Sequence, residues 1–148
     1  MRVAEVMTKD VVVACPEATV KDVAELMERK NVGTVIITDA DGKLEGIVTD
    51  RKLVTDCVAK GCNPSECKVE EIMTGKMPGP LGAAQMITAT PDMDVIDAAR
   101  KLGESGIRRM PVVEDGGKVV GVVSASDLAE EVMEAVDGLL EELSKTEH

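Results

Sequence analysis

Ser124, Ser126 and Asp127 stand together where an apolar, β-prone run (Val119 to Val123) gives way to a helical pattern. A strand-to-helix junction offers free backbone N–H groups and the positive end of a helix dipole, which favour an anion. Upstream, Arg108 and Arg109 stand immediately before Met110-Pro111. Guanidinium geometry suits bidentate contact with phosphate. Adjacent strand residues face opposite sides, so one of the pair reaches any given anion. Each feature also has a plainer account. Ser124-x-x-Asp127 is spaced like an N-terminal capping box, although the stricter form ends in Glu or Gln, and on spacing alone capping explains it better. Two exposed arginines would simply balance an acidic surface.

Other chemistries find little support. The cysteines are Cys15, Cys57, Cys62 and Cys67, and the last three are spaced x4 and x4. That is unlike the tight C-x-x-C knuckles of zinc sites. They read as small buried apolar residues or free loop thiols, and no structural metal is expected. The one histidine, His148, is terminal. With no internal histidine, no activating partner for a cysteine and no G-x-x-x-x-G-K loop, catalysis is not expected. No compact cluster of oxygen ligands suggests a divalent ion.

The 148 residues carry a net charge of −11, with 44% hydrophobic and 30% charged residues. This composition fits a globular chain with one well-buried domain or two small modules. An acidic surface disfavours nucleic acid, while a few local cations can still hold a small phosphorylated ligand within a screening length of roughly 10 Å. Phe, Tyr and Trp are absent. A base-binding slot must therefore be aliphatic, and a single-strand-binding role loses its usual stacking platforms. No apolar run is long enough to span a bilayer and no secretory signal opens the chain, so a cytoplasmic protein with no membrane partner is expected.

The elements that must position these residues come in duplicate. Gly46-Ile47-Val48-Thr49-Asp50-Arg51-Lys52-Leu53 returns as Gly121-Val122-Val123-Ser124-Ala125-Ser126-Asp127-Leu128, 75 positions on. One register holds from Pro16 to Leu53. Each repeat reads as strand, helix, strand, strand, helix. In the first these are Val11 to Cys15, a helix capped by Thr19 and running to about Arg29, Val35 to Thr38, Leu44 to Val48, and a helix from Thr49 to about Lys60. In the second they are Gln85 to Ala89, Asp94 to about Glu104, Met110 to Val113, Val119 to Val123 and a helix from near Ser124. Leu128, Val132, Val136, Leu139 and Leu143 stripe that last helix, for packing on the chain's own core or, as a second reading, for subunit association. The phrase Val3-Ala4-Glu5-Val6-Met7-Thr8 also recurs, 66 positions on, as Val69-Glu70-Glu71-Ile72-Met73-Thr74. The division expected is residues 1–68 and 69–148, the latter with a Gly/Pro-rich insertion at 75–83 and an extended C-terminal helix. The insertion reads as a long surface loop, or as a lid over a neighbouring cleft. Two short repeats bury more apolar surface by closing on each other than either can alone.

The phrases E-V-M-T, G-I-R-R-M-P-V-V and G-V-V-S-A-S-D-L, in a chain whose two copies lie in register and are each preceded by an E-x-M-T phrase, resemble a tandem pair of cystathionine-β-synthase (CBS) domains, a Bateman module. The resemblance covers roughly Met1 to Met133. It implies an α+β fold of two β-α-β-β-α repeats packed sheet to sheet about a pseudo-twofold axis, a homodimer, and clefts that bind adenosine nucleotides in a sensor or regulatory role.

Carried onto matching positions, Asp127 takes the ribose hydroxyls, Ser124 and Ser126 the phosphate side, and Val122 lines the base slot, with Arg108 and Arg109 as phosphate partners. The base packs against the partner repeat at Val32, Gly33, Thr34 and the backbone near Ala14. Repeat one departs from the pattern: Lys52 stands where the ribose aspartate belongs, and Gly33 and Thr34 replace the arginines. A lysine cannot accept ribose hydroxyls. The second cleft, at Thr49, Arg51, Lys52, Ile47 and Ile107, is therefore expected to be weak, either empty or lending cations to phosphates held by the other repeat. The function implied is binding of AMP, with ADP or ATP as variants, to bias a partner protein or a dimer. The rivals are a ligand-free dimerisation scaffold and a sensor of S-adenosylmethionine or a divalent ion.

Overall fold

The computed structural model describes residues 1–75, 86–105 and 108–145. Ile107, Gln85, His148 and all of the expected insertion beyond Gly75 lie outside the described residues. In chain order the elements are β1 (Val13–Ala14), α1 (Val20–Lys30), β2 (Thr34–Thr38), β3 (Leu44–Thr49), α2 (Asp50–Leu53), β4 (Thr74–Gly75), α3 (Val95–Ser105), β5 (Arg109–Val113), β6 (Val119–Ser124) and α4 (Ala125–Lys145). Turns of 3-10 helix form at Val3–Glu5 and Val69–Glu71, and a π-helical turn at Val54–Val58 follows α2. The chain is an α+β protein of two β-α-β-β-α repeats, as expected. Where one helix was expected from Thr49 to about Lys60, α-helical geometry stops at Leu53 and the wider π turn takes over.

Local chemistry sets these elements. Thr19 Oγ1 accepts the Asp22 N–H and Asp22 Oδ2 accepts the Thr19 N–H, both at 3.1 Å. This closed box starts α1 and leaves Val20, Val23 and Met27 buried on one face. Asn31 ends the helix at φ 53°, a left-handed turn that asparagine tolerates. Between β2 and β3, Asp39 Oδ1 accepts the N–H groups of Asp41 and Lys43, each at 2.9 Å, and so folds the turn onto itself.

The contacts resolve into two compact units, one of Asp10–Met86 with Val113–Val119, the other of Met1–Lys9, Ile87–Val112 and Val120–His148. In the first, four strands lie in the order β1-β2-β3-β4. β1 runs parallel to β2 (Ala14 opposite Ile37), β2 is antiparallel to β3 (Thr34 opposite Thr49), and β3 is antiparallel to β4 (Ile47 opposite Thr74). Val20, Val23, Val35, Ile37, Val48, Leu53, Cys57, Cys67 and Val69 form its core. In the second unit β5 and β6 form the sheet. Ala89 bridges Val112 in parallel and Thr8 bridges Val122 antiparallel. Its core is Val3, Ala89, Val95, Ala98, Leu102, Met110, Val112, Val123 and Leu128.

The strand expected from Gln85 to Ala89 is thus, among the described residues, a single bridge. Pro111 explains part of this. It accepts the Ala89 N–H at 2.9 Å but has no N–H to return.

The register of the repeats survives in three dimensions, with one exchange. Ala14 opposite Ile37 recurs as Ala89 opposite Val112, and Ile47 opposite Thr74 recurs as Val122 opposite Thr8. The sheet of repeat one is therefore completed by the phrase that precedes repeat two. The sheet of repeat two is completed by the phrase that opens the chain. The 3-10 turns dock in the same crossed way: Val69 donates to the Ala18 carbonyl at 2.7 Å, and Val3 to that of Met93 at 2.8 Å. In each case the methionine of the phrase lies against a strand glycine, Met73 on Gly46 and Met7 on Gly121.

The apolar stripe of α4 does not pack on the chain's own core along its length. Leu128 is buried, whereas Met133, Val136, Leu139 and Leu140 are 44–61% exposed. Among the described residues no helix is long and apolar enough to cross a membrane.

Candidate functional site

In the second unit, β6 delivers Ser124 to the start of α4, whose first turn carries Ser126 and Asp127. The Ala125 N–H donates to the Arg108 carbonyl at 2.7 Å, tying the approach to β5 to the helix start. Ser124 Oγ accepts the Asp127 N–H at 3.1 Å and lies 3.1 Å from Ser126 Oγ. Half of the capping reading therefore holds: Ser124 caps α4. The reciprocal half does not. At Thr19-x-x-Asp22 the aspartate carboxylate turns back to its cap residue, but the Asp127 carboxylate accepts no hydrogen bond among the described residues. Asp127 is half-buried in the first turn of α4.

Arg108 and Arg109 are exposed, and neither forms an ion pair among the described residues. Val122 is half-buried, and its backbone is fully paired with Thr8, at 2.8 and 3.0 Å. The structure brings Ser124, Ser126, Asp127 and the Arg108 carbonyl together at the start of α4, and leaves the Arg108 and Arg109 side chains exposed.

In the first unit, Ala14 lies on β1 beside Ile37. Val32 packs on the core from the end of α1. The Gly33 carbonyl accepts the Asp50 N–H at 2.9 Å, and a Cβ at Gly33 would stand 3.0 Å from Asp50 Oδ2. Thr34 opens β2 with its Oγ1 buried and, among the described residues, without a hydrogen-bond partner. An orphaned buried hydroxyl costs free energy, which makes this one a candidate contact for a bound polar group.

The altered repeat-one junction is also built differently. Thr49 Oγ1 accepts the Lys52 N–H at 3.3 Å. Lys52 Nζ turns along the helix to Asp56 Oδ2 at 2.9 Å. The hydrogen bond from Lys52 holds the Asp56 carboxyl below its ordinary value of 3.8. Its stabilising contribution is present above 3.8 and is lost as pH falls below that value. Lys52 is thus already neutralised, Arg51 is exposed, and Ile47 is buried at 7% exposure.

An open groove of about 690 Å³ also lies in the first unit. Ala14, Cys15, Thr38 and Met73 line it together with four acids, Glu17, Asp39, Glu45 and Glu70, and no cation. Of the residues read as binding from the sequence, only Ala14 belongs to it. The fold also gathers Cys57, Cys62 and Cys67. Sequence reasoning missed this cluster because it weighed only linear spacing. It saw the recurring Met-Thr phrase but not its crossed docking; the change of displacement from 75 to 66 was the available signal.

Comparison with known proteins agrees with this architecture. The family model for the CBS domain matches twice, at residues 3–58 and 69–134. The uncharacterized protein MK0525 of Methanopyrus kandleri is 33% identical over 97% of this chain and 68% of its own length. The CBS domain-containing protein YhcV of Bacillus subtilis is 31% identical over 86% of this chain and 82% of its own. Among solved structures, the CBS domain pair of protein MJ0100, crystallised with 5′-methylthioadenosine and S-adenosyl-L-methionine, superposes with a TM-score of 0.76. It shares 27% identity and covers 91% of this chain and 98% of that one. A conserved protein from Pyrococcus horikoshii superposes with a TM-score of 0.74 at 27% identity, over 88% and 91% of the two chains. Two registered copies of one unit, the same bridges in both and a family match over each copy lead to one conclusion: the chain belongs to the CBS domain family and carries the domain in tandem.

Proposed function

We propose that this chain is a non-catalytic regulatory module that binds an adenosine nucleotide, AMP first among them, through the constellation at the start of α4. The observation that carries this reading is the unpartnered Asp127 carboxylate. A nucleoside phosphate needs an apolar slot for its base, an acceptor for the ribose diol, and donors with positive charge for its phosphate. Asp127 supplies the acceptor, and Ser124, Ser126 and the α4 N-terminus supply donors. Arg108 and Arg109 supply charge. Lys52, locked to Asp56, leaves the corresponding repeat-one junction without a ribose acceptor.

A second reading, S-adenosylmethionine as ligand, is favoured by the acidic groove. Its four carboxylates suit a ligand bearing sulfonium and ammonium charge, and the MJ0100 pair was crystallised with that compound. Either ligand acts by population shift, through its difference in affinity between conformations. Four free thiols fit a reducing, cytoplasmic setting.

The absence of aromatic residues makes the test direct, because the protein adds almost nothing to an adenine absorption band. Purified protein is expected to carry that band or, once stripped, to bind AMP, ADP, ATP or S-adenosylmethionine in calorimetry at one dominant site. A sample that shows no band and no heat with any of the four leaves the scaffold reading in place.

The same module is proposed to associate with a second copy through α4. Met133, Val136, Leu139 and Leu140 leave an apolar face of this 21-residue helix uncovered, as an interhelical seam requires. The Leu139→Glu, Leu140→Glu double variant should halve the mass measured by light scattering and leave the circular dichroism spectrum unchanged. A wild-type chain that is already monomeric would refute the association.

A further inference from the structure

We propose that Cys57, Cys62 and Cys67 form a binding site for a single soft, thiophilic metal ion of the zinc class. Their sulfur atoms all lie within 4.8 Å of one another. Three thiolates on one zinc, with Zn–S bonds near 2.3 Å, stand roughly 3.8 Å apart, so closure needs movements of about an ångström. The three residues reach this arrangement from three local structures. Cys57 sits in the π-helical turn Val54–Val58, where the Ala59 N–H reaches back to the Val54 carbonyl. Cys62 follows the helix end, its N–H held by the Cys57 carbonyl at 3.0 Å. Cys67 is fixed by its N–H to the Asn63 carbonyl at 2.9 Å and by its carbonyl to the Val20 N–H at 2.9 Å. The loop is peculiar to repeat one. At the matching positions of repeat two α4 runs on unbroken, with Val132, Asp137 and Glu142 in place of the cysteines.

The competing account is that the thiols only fill space. Cys57 and Cys67 are indeed 0% and 6% exposed and belong to the core, but Cys62 is half-buried. Space-filling asks for no convergence of three sulfurs, and alanine or valine would serve it. The half-buried Cys62 also gives the ion a route in and a place for water as fourth ligand. Burial pushes the Cys57 thiol up, and the Cys67 thiol up to about 12. On binding, three S–H bonds break, three metal–sulfur bonds form and three protons pass to solvent. A divalent ion then leaves one net negative charge, where three bare thiolates would leave three.

The test uses the full, untagged chain, reduced and stripped of metal. Titration with Co²⁺ should give one thiolate-to-cobalt charge-transfer band per chain, seen against a near-ultraviolet background free of aromatic absorption. Zn²⁺ should then abolish the band at one equivalent. Loss of a supporting contact already costs metal affinity about 10–100-fold, so Cys62→Ala, at the most accessible of the three positions, should weaken zinc binding by at least that much. Cys15→Ala should leave it unchanged. Zinc should also raise the unfolding midpoint of the wild type and not that of Cys62→Ala, which keeps the test valid even if substitutions at Cys57 or Cys67 fail to fold. Absence of the band, undiminished binding by Cys62→Ala, or a disulfide among the three in air-purified protein would each overturn the proposal.

Discussion

Replacing Asp127 with alanine should weaken adenosine-ligand binding about 100-fold in calorimetry, while Lys52→Ala changes it by less than about twofold. A carboxylate that accepts both ribose hydroxyls makes two hydrogen bonds to a charged group, each worth roughly 1.5–3 kcal/mol and not additive. A loss of about 3 kcal/mol corresponds to about 100-fold in affinity. Asp127→Asn keeps the shape and one acceptor oxygen and should fall between the two. Asp127 also sits in the first turn of α4, where a negative charge is worth roughly 0.3–1 kcal/mol. A thermal melt of each variant therefore accompanies the titration and separates loss of binding from loss of fold. Unchanged affinity in a folded Asp127→Ala protein would remove the ribose assignment. Lys52 serves as the control because its ammonium is already engaged by Asp56 at 2.9 Å.

The second large effect concerns stability. Gly121→Ala should destabilise the chain by roughly 1–3 kcal/mol in chemical denaturation, and Gly46→Ala by at least as much. A Cβ at Gly121 would lie 2.6 Å from Met7 Sδ and 3.1 Å from the Thr8 carbonyl oxygen. At Gly46 it would overlap Met73 Sδ and stand 2.9 Å from the Thr74 carbonyl oxygen. A methionine can swing away. The backbone carbonyl cannot retreat without breaking the pairing of Thr8 with Val122, or of Thr74 with Ile47. Adding Met7→Ala to Gly121→Ala should therefore restore only part of the loss, and the unfiltered carbonyl contact accounts for the remainder. For a chain of this length each kcal/mol corresponds to roughly 2–4 °C in melting temperature. Wild-type stability in Gly121→Ala would show that the Met7–Thr8 segment is not seated on β6.

How much of this was legible from the residues depends on the range of the interaction. The Thr19 cap, the Asp39-Ala40-Asp41-Gly42 turn and the apolar runs of β2 and β3 are local, and sequence showed them. The registered repeat fixed the fold class, because a displacement that carries Pro16 onto Pro91 and Gly46 onto Gly121 also carries pairing partners onto pairing partners. Ser124-x-x-Asp127 was legible as a motif but ambiguous as chemistry. Thr19-x-x-Asp22 has the same pattern and closes as a box, and only coordinates distinguish a carboxylate bonded to its cap from one left free. The convergence of Cys57, Cys62 and Cys67 was hidden for a related reason: a π turn and a loop bring together sulfurs that no linear motif describes. The orphaned Thr34 hydroxyl depends on what packs over it, which no single-residue property reveals.

The crossed docking of the Met-Thr phrases ties the halves together topologically. The strands β1 to β4 all lie within the continuous stretch 13–75, whereas the β5–β6 sheet borrows its closing bridge from Thr8, near the start of the sequence. Folding must then wait for long-range closure, a route that high contact order makes slow. A chain cut after Lys9 would therefore keep the β1 to β4 sheet whole and lose the edge that closes on β6.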